Sequence, residues 1–354
     1  MRPPAFPSGQ SYVLEHGAQR AVVVELGAAL ASYAVGGVDV LDGFLPSEGS
    51  RHYQGHVLAP WPNRIAGGRY VVAGRAQQLA LTEPATGGAI HGLANWYRWE
   101  LREAEPDRVS LGLDLHPQPG YPFSIRLGAT YRLGASGLEV ELSGENHGRE
   151  PAPFGLGAHP YLSLGAGAGV ESRAGTGGEA AGPGASEAQG DRLTGSGAAE
   201  EGAHGIVDGY ELRLDAGIYL ESDERNIPIA RHAVDGTAFD LSTGAPLGRR
   251  VLDTAFGALA RDADGRVRAV LGDPASGRAV TVWGDEACAW WMVFTGDTLP
   301  EAKRRRAVAI EPMTCPPDAF NSGEDLWILR PGEGARLRFG LEPAGFPVAA
   351  PDLS

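Results

Sequence analysis

Four segments of this chain hold side chains able to move protons or bind hydroxyl groups, at a density that strands alone do not require. The first runs Pro60-Trp61-Pro62-Asn63-Arg64-Ile65-Ala66-Gly67-Gly68-Arg69-Tyr70. An amide beside a guanidinium fork, in a loop stiffened by two prolines, suits a polyhydroxylated ligand. The others are Ile90-His91-Gly92-Leu93-Ala94-Asn95-Trp96, then Pro153 to Tyr161 around His159-Pro160-Tyr161, and finally Ala309-Ile310-Glu311-Pro312 up to Pro317. Two imidazoles and a carboxylate are the usual vocabulary of general acid–base catalysis. Each residue also has a plain structural use. A histidine beside Gly or Pro is commonly a turn residue, Glu311 could be an edge-strand acid, and Arg64 could belong to a structural ion pair.

Other candidate chemistries find less support. His52 and His56 are four residues apart in loop or strand text without His-Glu-x-x-His, which argues against zinc. No Gly-x-Ser-x-Gly elbow is present for serine hydrolysis. Lys303–Arg306 is a short basic run that reads as a solvated loop. Trp283, Trp290 and Trp291 would serve either as a sugar-stacking shelf or as strand core.

The elements that must position these groups are strands. Ser11–Glu15, Ala21–Leu26, Tyr70–Val72, Arg108–Leu115, Ser124–Leu133, Leu138–Ser143 and Ala279–Trp283 are short, alternating or β-branched, and bounded by Gly, Pro or Asp. Leu138, Val140 and Leu142 alternate with Glu139 and Glu141, which assigns one buried face. No stretch of helical periodicity is long enough for a major helix. Many short strands at close spacing predict an all-β, antiparallel sandwich rather than a wound α/β sheet.

Residues 165–205 hold 13 Gly and 10 Ala among 41 residues, and only Val170 and Leu193 as large apolar groups. Such text cannot offset its ordering entropy and reads as a flexible insert. Strand-like sequence resumes at Tyr210–Leu214, so the reading is one domain, 1–354, carrying the insert 165–205.

Composition limits the function classes. The 354 residues carry 30 basic and 44 acidic side chains, a net charge of −14, which repels phosphate backbones and speaks against nucleic acid. No apolar run is long enough to cross a membrane and Met1–Gln10 lacks a signal-like core, so a cytoplasmic protein without membrane association is expected. Cys288 and Cys315 are too few for a disulfide framework.

Taken together, the four segments resemble the aldose 1-epimerase (galactose mutarotase) family. That family carries Asn-Arg-Ile followed by Gly and an aromatic, then His-Gly, then His-Pro-Tyr, and then Glu-Pro near the C-terminus, and all four occur here in order. Ile227-Pro228, Leu252 to Phe256 and Thr295-Gly296-Asp297 add to the resemblance, which spans roughly Tyr12 to Leu341 outside the insert. It implies a large single-domain β-sandwich of the galactose mutarotase-like supersandwich type, acting on a free aldose with no cofactor and no metal. It further implies Glu311 as general base and His159 as general acid. Asn63, Arg64, His91 and Asp253 would bind the sugar. A monomer or weak homodimer is expected. Met292 stands where many members carry a sugar-contacting Gln.

The implied reaction interconverts α and β anomers of a hexose such as glucose or galactose. One group removes the anomeric hydroxyl proton, another protonates the ring oxygen, and the open aldehyde rotates and recloses. The expected geometry puts carboxylate and imidazolium on opposite sides of the ring, with the imidazolium pKa pushed upward by the carboxylate. Three alternatives accompany this reading. One is a catalytically idle carbohydrate-binding or regulatory sandwich, and another a glycoside-processing enzyme using Glu311 with Asp253. The third is a mutarotase for a sulfonated hexose. Trp61-Pro62 is similar to a bacterial branch that includes such enzymes, and Arg64, Arg69 or Arg98 would hold the sulfonate.

Overall fold

The computed structural model describes residues 7–165 and 205–348. The proposed insert therefore lies almost wholly outside the described residues. Strands dominate, as the alternating text requires, and among the described residues the strands pair antiparallel, with one isolated parallel bridge between Ala59 and Gly92. A nine-stranded sheet runs in the order Glu100–Glu105, Arg108–Leu115, Ile125–Gly134, Gly137–Asn146, Gly334–Ala344, Arg278–Gly284, Val267–Asp273, Glu211–Leu214, Leu241–Pro246. The C-terminal strand thus enters the middle of the sheet instead of an edge. An eight-stranded sheet runs Pro228–Ala233, Ala216–Ser222, Asp253–Leu259, Trp290–Phe294, Val308–Met313, Gly157–Ala158, Val57–Leu58, with Tyr161–Leu162 also paired to Val308–Met313.

The period of two decides which side chains meet. In the large sheet Leu138, Val140 and Leu142 lie opposite Leu133, Tyr131 and Ala129, all buried, while Glu139 is exposed. From the smaller sheet Phe256, Trp291, Val293, Val308 and Ile310 join the same continuous core. One face of each sheet therefore shares one apolar interior, which is the expected antiparallel sandwich. Val308–Met313 is buried along its whole length, so both of its faces are covered. Its second face, and the matching faces of its neighbours, carry Asp253, Met292 and Glu311. The two longest-spaced helical segments among the described residues, Ile206–Gly209 and Ala319–Ser322, are single turns.

The basic run Lys303–Arg306 departs from expectation. Arg305 is fully buried and its guanidinium holds Asp208, Asp297 and the carbonyls of Gly248 and Arg250 at 2.6–2.9 Å. Lys303 pairs with Asp42 at 2.8 Å. The run is a structural tie, because two half-buried carboxylates gather on the buried Arg305 charge. Arg305→Met should lower unfolding free energy by about 3–5 kcal/mol in urea denaturation, since it removes the buried charge on which both acids converge. A loss under about 1 kcal/mol, typical of an exposed pair, would contradict this role.

Candidate active site

Sheet register brings the site together. Gly157 lies opposite Met313 and Tyr161 opposite Ala309, so His159 falls across from Glu311 on the neighbouring strand line. On the other side of the same strand Met292 pairs with Glu311. Cross-strand neighbours of this kind have Cβ atoms about 4.5–5.5 Å apart, close enough for their heads to touch. His159 Nε2 is 3.2 Å from Glu311 Oε1, and the two residues are only 4 % and 2 % exposed. The second carboxyl oxygen, Oε2, is buried and has no hydrogen-bond partner. Tyr161 stacks on the His159 ring at 4.7 Å, and Tyr53 flanks His91 at the same centroid distance.

The loop at Asn63 supplies the opposite wall. Asn63 and His91 both sit in the left-handed region, at φ 53° and 61°. That conformation is tolerable for Asn and uncommon for His, at a cost of order 1–3 kcal/mol. Reciprocal bonds hold it: the His91 amide donates to the Asn63 carbonyl at 2.8 Å, and the Asn63 amide donates to His91 Nδ1 at 3.3 Å. Gly92 follows at φ 76°, where a Cβ would lie 2.1 Å from the Ala59 carbonyl oxygen, so no larger residue fits this turn. Asn63 Oδ1 accepts from the Arg64 amide at 2.9 Å. The buried Arg64 guanidinium gives Nε and Nη2 to Glu83 at 2.6 and 2.8 Å.

Asp253 shares the Glu311 face of the sheet and accepts from Asn226 Nδ2 at 3.1 Å. All six residues expected from sequence, Glu311, His159, Asn63, Arg64, His91 and Asp253, thus converge on one region. Glu83, Tyr53 and Asn226 join them without having been foreseen. Only Asn226 sat beside a recognisable segment, Ile227-Pro228. Met292 is buried next to Glu311 and offers a thioether where an amide would have donated. Trp291 belongs to the core, while Trp290 packs with Met292 on the Glu311 face and donates Nε1–H to Asp325 at 2.8 Å.

Burial dominates the electrostatics. It pushes the Glu311 carboxyl well above its ordinary value, with Asp253 adding to the rise and Arg64 opposing it. It lowers His159 to about 3, His56 to about 4, and His91 well below the usual imidazole range. The upward shift expected for His159 from its carboxylate neighbour does not occur, because desolvation dominates, with the nearby His56 and Arg64 adding to the fall. Asp253 is also raised by burial.

His91, His159 and Glu311 place three potential ligand atoms within 4.8 Å of one another. The hydrogen bonding does not fit a metal. A ligating histidine donates its other N–H outward, whereas His91 Nδ1 receives an amide proton. That bond assigns the neutral tautomer with hydrogen on Nε2, making His91 a donor toward the cleft.

Known proteins give this geometry its context. The family model described as aldose 1-epimerase matches residues 10–177 and 200–342. An uncharacterized protein of Escherichia coli K12, YihR, is 32% identical over 335 residues, covering 94% of this chain and 93% of its own. Human galactose mutarotase is 26% identical over 222 residues, 61% of this chain and 54% of its own. In fold, the chain is similar to the aldose epimerase homologue of C. elegans, at a TM-score of 0.74 and 18% identity over 96% and 99% of the two chains. A putative aldose 1-epimerase of Escherichia coli K12 gives 0.73 at 21% identity, over 95% and 99%. The chain belongs to the aldose 1-epimerase family of isomerases, which act on small sugars.

Proposed function

We propose that this protein is a mutarotase that interconverts the α and β anomers of a free hexose such as glucose or galactose, with Glu311 and His159 moving the protons. The observation that carries the reading is the buried 3.2 Å contact between His159 Nε2 and Glu311 Oε1, with Oε2 left unpartnered. The two groups lie side by side, so they serve the same side of the ring and not opposite sides. This suits the substrate, because the anomeric hydroxyl oxygen and the ring oxygen are both bonded to C1.

The proton count closes. Ring opening breaks the O1–H and C1–O5 bonds and makes the C1=O1 and O5–H bonds. Glu311 as carboxylate takes the O1 proton, and His159 as imidazolium gives one to O5. What remains beside the open aldehyde is a carboxylic acid next to a neutral imidazole. Burial favours that same neutral state at both groups. The site therefore favours the catalytic state that accompanies the ring-opened sugar; reclosure on either face of the aldehyde passes through the charged pair, and the shared proton then returns from His159 to Glu311 across the 3.2 Å contact. His91 as an Nε2–H donor, Arg64 and Asp253 hold hydroxyls, and Asn63 sets the His91 tautomer. Residues of these types need no metal for the reaction.

The idle-binder alternative leaves an acid–base pair in a dry site without a use. For glycoside cleavage, Glu311 and Asp253 would both have to serve, flanking the bond, but they lie on one face of the same sheet, and Asn226 takes Asp253 Oδ2, leaving one oxygen for a hydroxyl. For a sulfonated hexose, the Glu83 carboxylate already offsets the Arg64 charge and takes Nε and Nη2, leaving Nη1 for a neutral hydroxyl, while Arg69 and Arg98 are exposed and bonded to Gln78 and Glu25. Neutral hexoses fit best.

Polarimetry on freshly dissolved α-D-glucose and α-D-galactose tests the roles. Glu311→Gln and His159→Asn should each lower turnover about 10²–10⁴-fold, and the double variant should lose little more, because the two groups act as a unit. Near-wild-type turnover by Glu311→Gln would overturn the assignment.

The pH dependence follows from the shared proton. Activity needs one proton on the pair. A second adds only as pH falls toward the depressed His159 value of about 3, and the first leaves only above the raised Glu311 value. The two limbs belong to the pair. The rate profile should be a plateau wider than the interval between ordinary carboxylate and imidazole values. A narrow bell centred between those values would show that the groups titrate independently.

A further inference from the structure

Glu83 is a carboxylate beside the proposed chemistry that the mechanism leaves without a task. Its carboxylate takes two of the Arg64 guanidinium nitrogens, Nε at 2.6 Å and Nη2 at 2.8 Å. Two-point contacts of this type fix orientation as well as charge. The remaining nitrogen, Nη1, reaches only Asn63 Oδ1, at 3.5 Å. Arg64 forms its ion pair with Glu83 and with neither Glu311 nor Asp253, although both of those charges act on it.

Glu83 is itself held in place. Thr86 Oγ1 donates to its Oε2, and the amides of Gly87 and Gly88 donate to its carbonyl at 3.0 and 3.3 Å. Arg225 Nε ties the Thr86 carbonyl at 2.9 Å, next to Asn226 on Asp253. A surface acid needs no such scaffold to offset one exposed cation. Arg64 is not exposed, and a guanidinium in a dry site will seek the nearest carboxylate. The acids within its field are Glu83, Asp253 and Glu311.

We infer that Glu83 is a positioning residue whose two-point grip on Arg64 holds the guanidinium off Glu311, leaving that carboxyl free to exchange protons with the sugar. The inference deepens the mutarotase reading and rests on it for its kinetic consequence. Without the Glu83 charge, Arg64 turns its full charge on Glu311 and stabilises the carboxylate, weakening it as a base. Removing the Glu83 charge also removes a like charge, which acts in the same direction. The groups facing Glu311 are His159 and His91, Asp253, Arg64, and Tyr161. Asp253 also feels the Glu83 charge, which raises it, so in a Glu83 variant the Asp253 carboxyl should shift downward together with Glu311.

Infrared titration of the carboxyl bands tests this, with the Glu311 band assigned by its absence in Glu311→Gln. In Glu83→Gln the Glu311 midpoint should fall by about one pH unit or more, a tenfold change in proton affinity. Turnover on glucose should drop about 10–10²-fold, more than the half-saturation constant rises, as a misplaced group near the chemistry predicts. Glu83→Asp keeps the charge and should restore the midpoint. Thr86→Val, which releases one Glu83 oxygen, should move it down by less, and serves if Glu83→Gln does not fold. An unmoved or raised midpoint in a folded variant would overturn the inference. A wild-type protein inert on free hexoses, but with the midpoint shift present, would overturn the mutarotase reading and leave the clamp standing.

Discussion

The structure turns on one dry contact, an imidazole nitrogen against a carboxyl oxygen with almost no water at either. In water the two would form an ordinary ion pair. Taken out of water, each ion loses several kcal/mol of solvation, and the charged and neutral forms of the pair draw close in energy. A proton can then sit on either partner. Anomer exchange needs such a device, because the catalyst must take a proton at one oxygen, give one at another, and finish ready to reverse. A wet carboxylate and a wet imidazolium would be held apart in their charged forms by their own hydration.

The rest of the fold keeps that contact dry and aligned. Pairing on both sides of His159 sets its register against Glu311, and a slip of one residue would turn Glu311 into the apolar core. Burial of Val308–Met313 on both faces keeps solvent from the site. On the far wall, the Asn63–His91 lock selects a tautomer, and the Glu83–Arg64 clamp keeps a strong cation from collapsing onto the base. The two locks on this wall join residues 28 and 19 positions apart.

Much of this was legible in the sequence, for identifiable reasons. Strands such as Gly137–Asn146 announce themselves because one face is wet and the residues alternate. The strands that carry the site do not alternate. Trp290–Phe294 and Val308–Met313 are covered on both faces, so their text is a short apolar run that pattern alone cannot assign. The six candidate residues were visible through ordered short motifs. Glu83 and Tyr53 were not, since each lies in loop text and gains its role only from a partner elsewhere. Proximity also escaped the sequence: residue types suggested an acid and a base, but not that they touch. For the same reason the direction of the His159 shift was misjudged, because burial is a property of the fold and a neighbouring carboxylate is only part of it.

The central claim is that desolvation keeps His159 neutral beside a protonated Glu311 in the free protein. Nitrogen-15 NMR of the histidine side chains measures this directly, with the His159 signals identified by their loss in His159→Asn. At neutral pH, and down to pH values where an exposed imidazole is already charged, His159 should show one protonated and one unprotonated ring nitrogen. Two protonated nitrogens with a water-like titration near ~6.5 would mean a conventional ion pair, and would contradict the account.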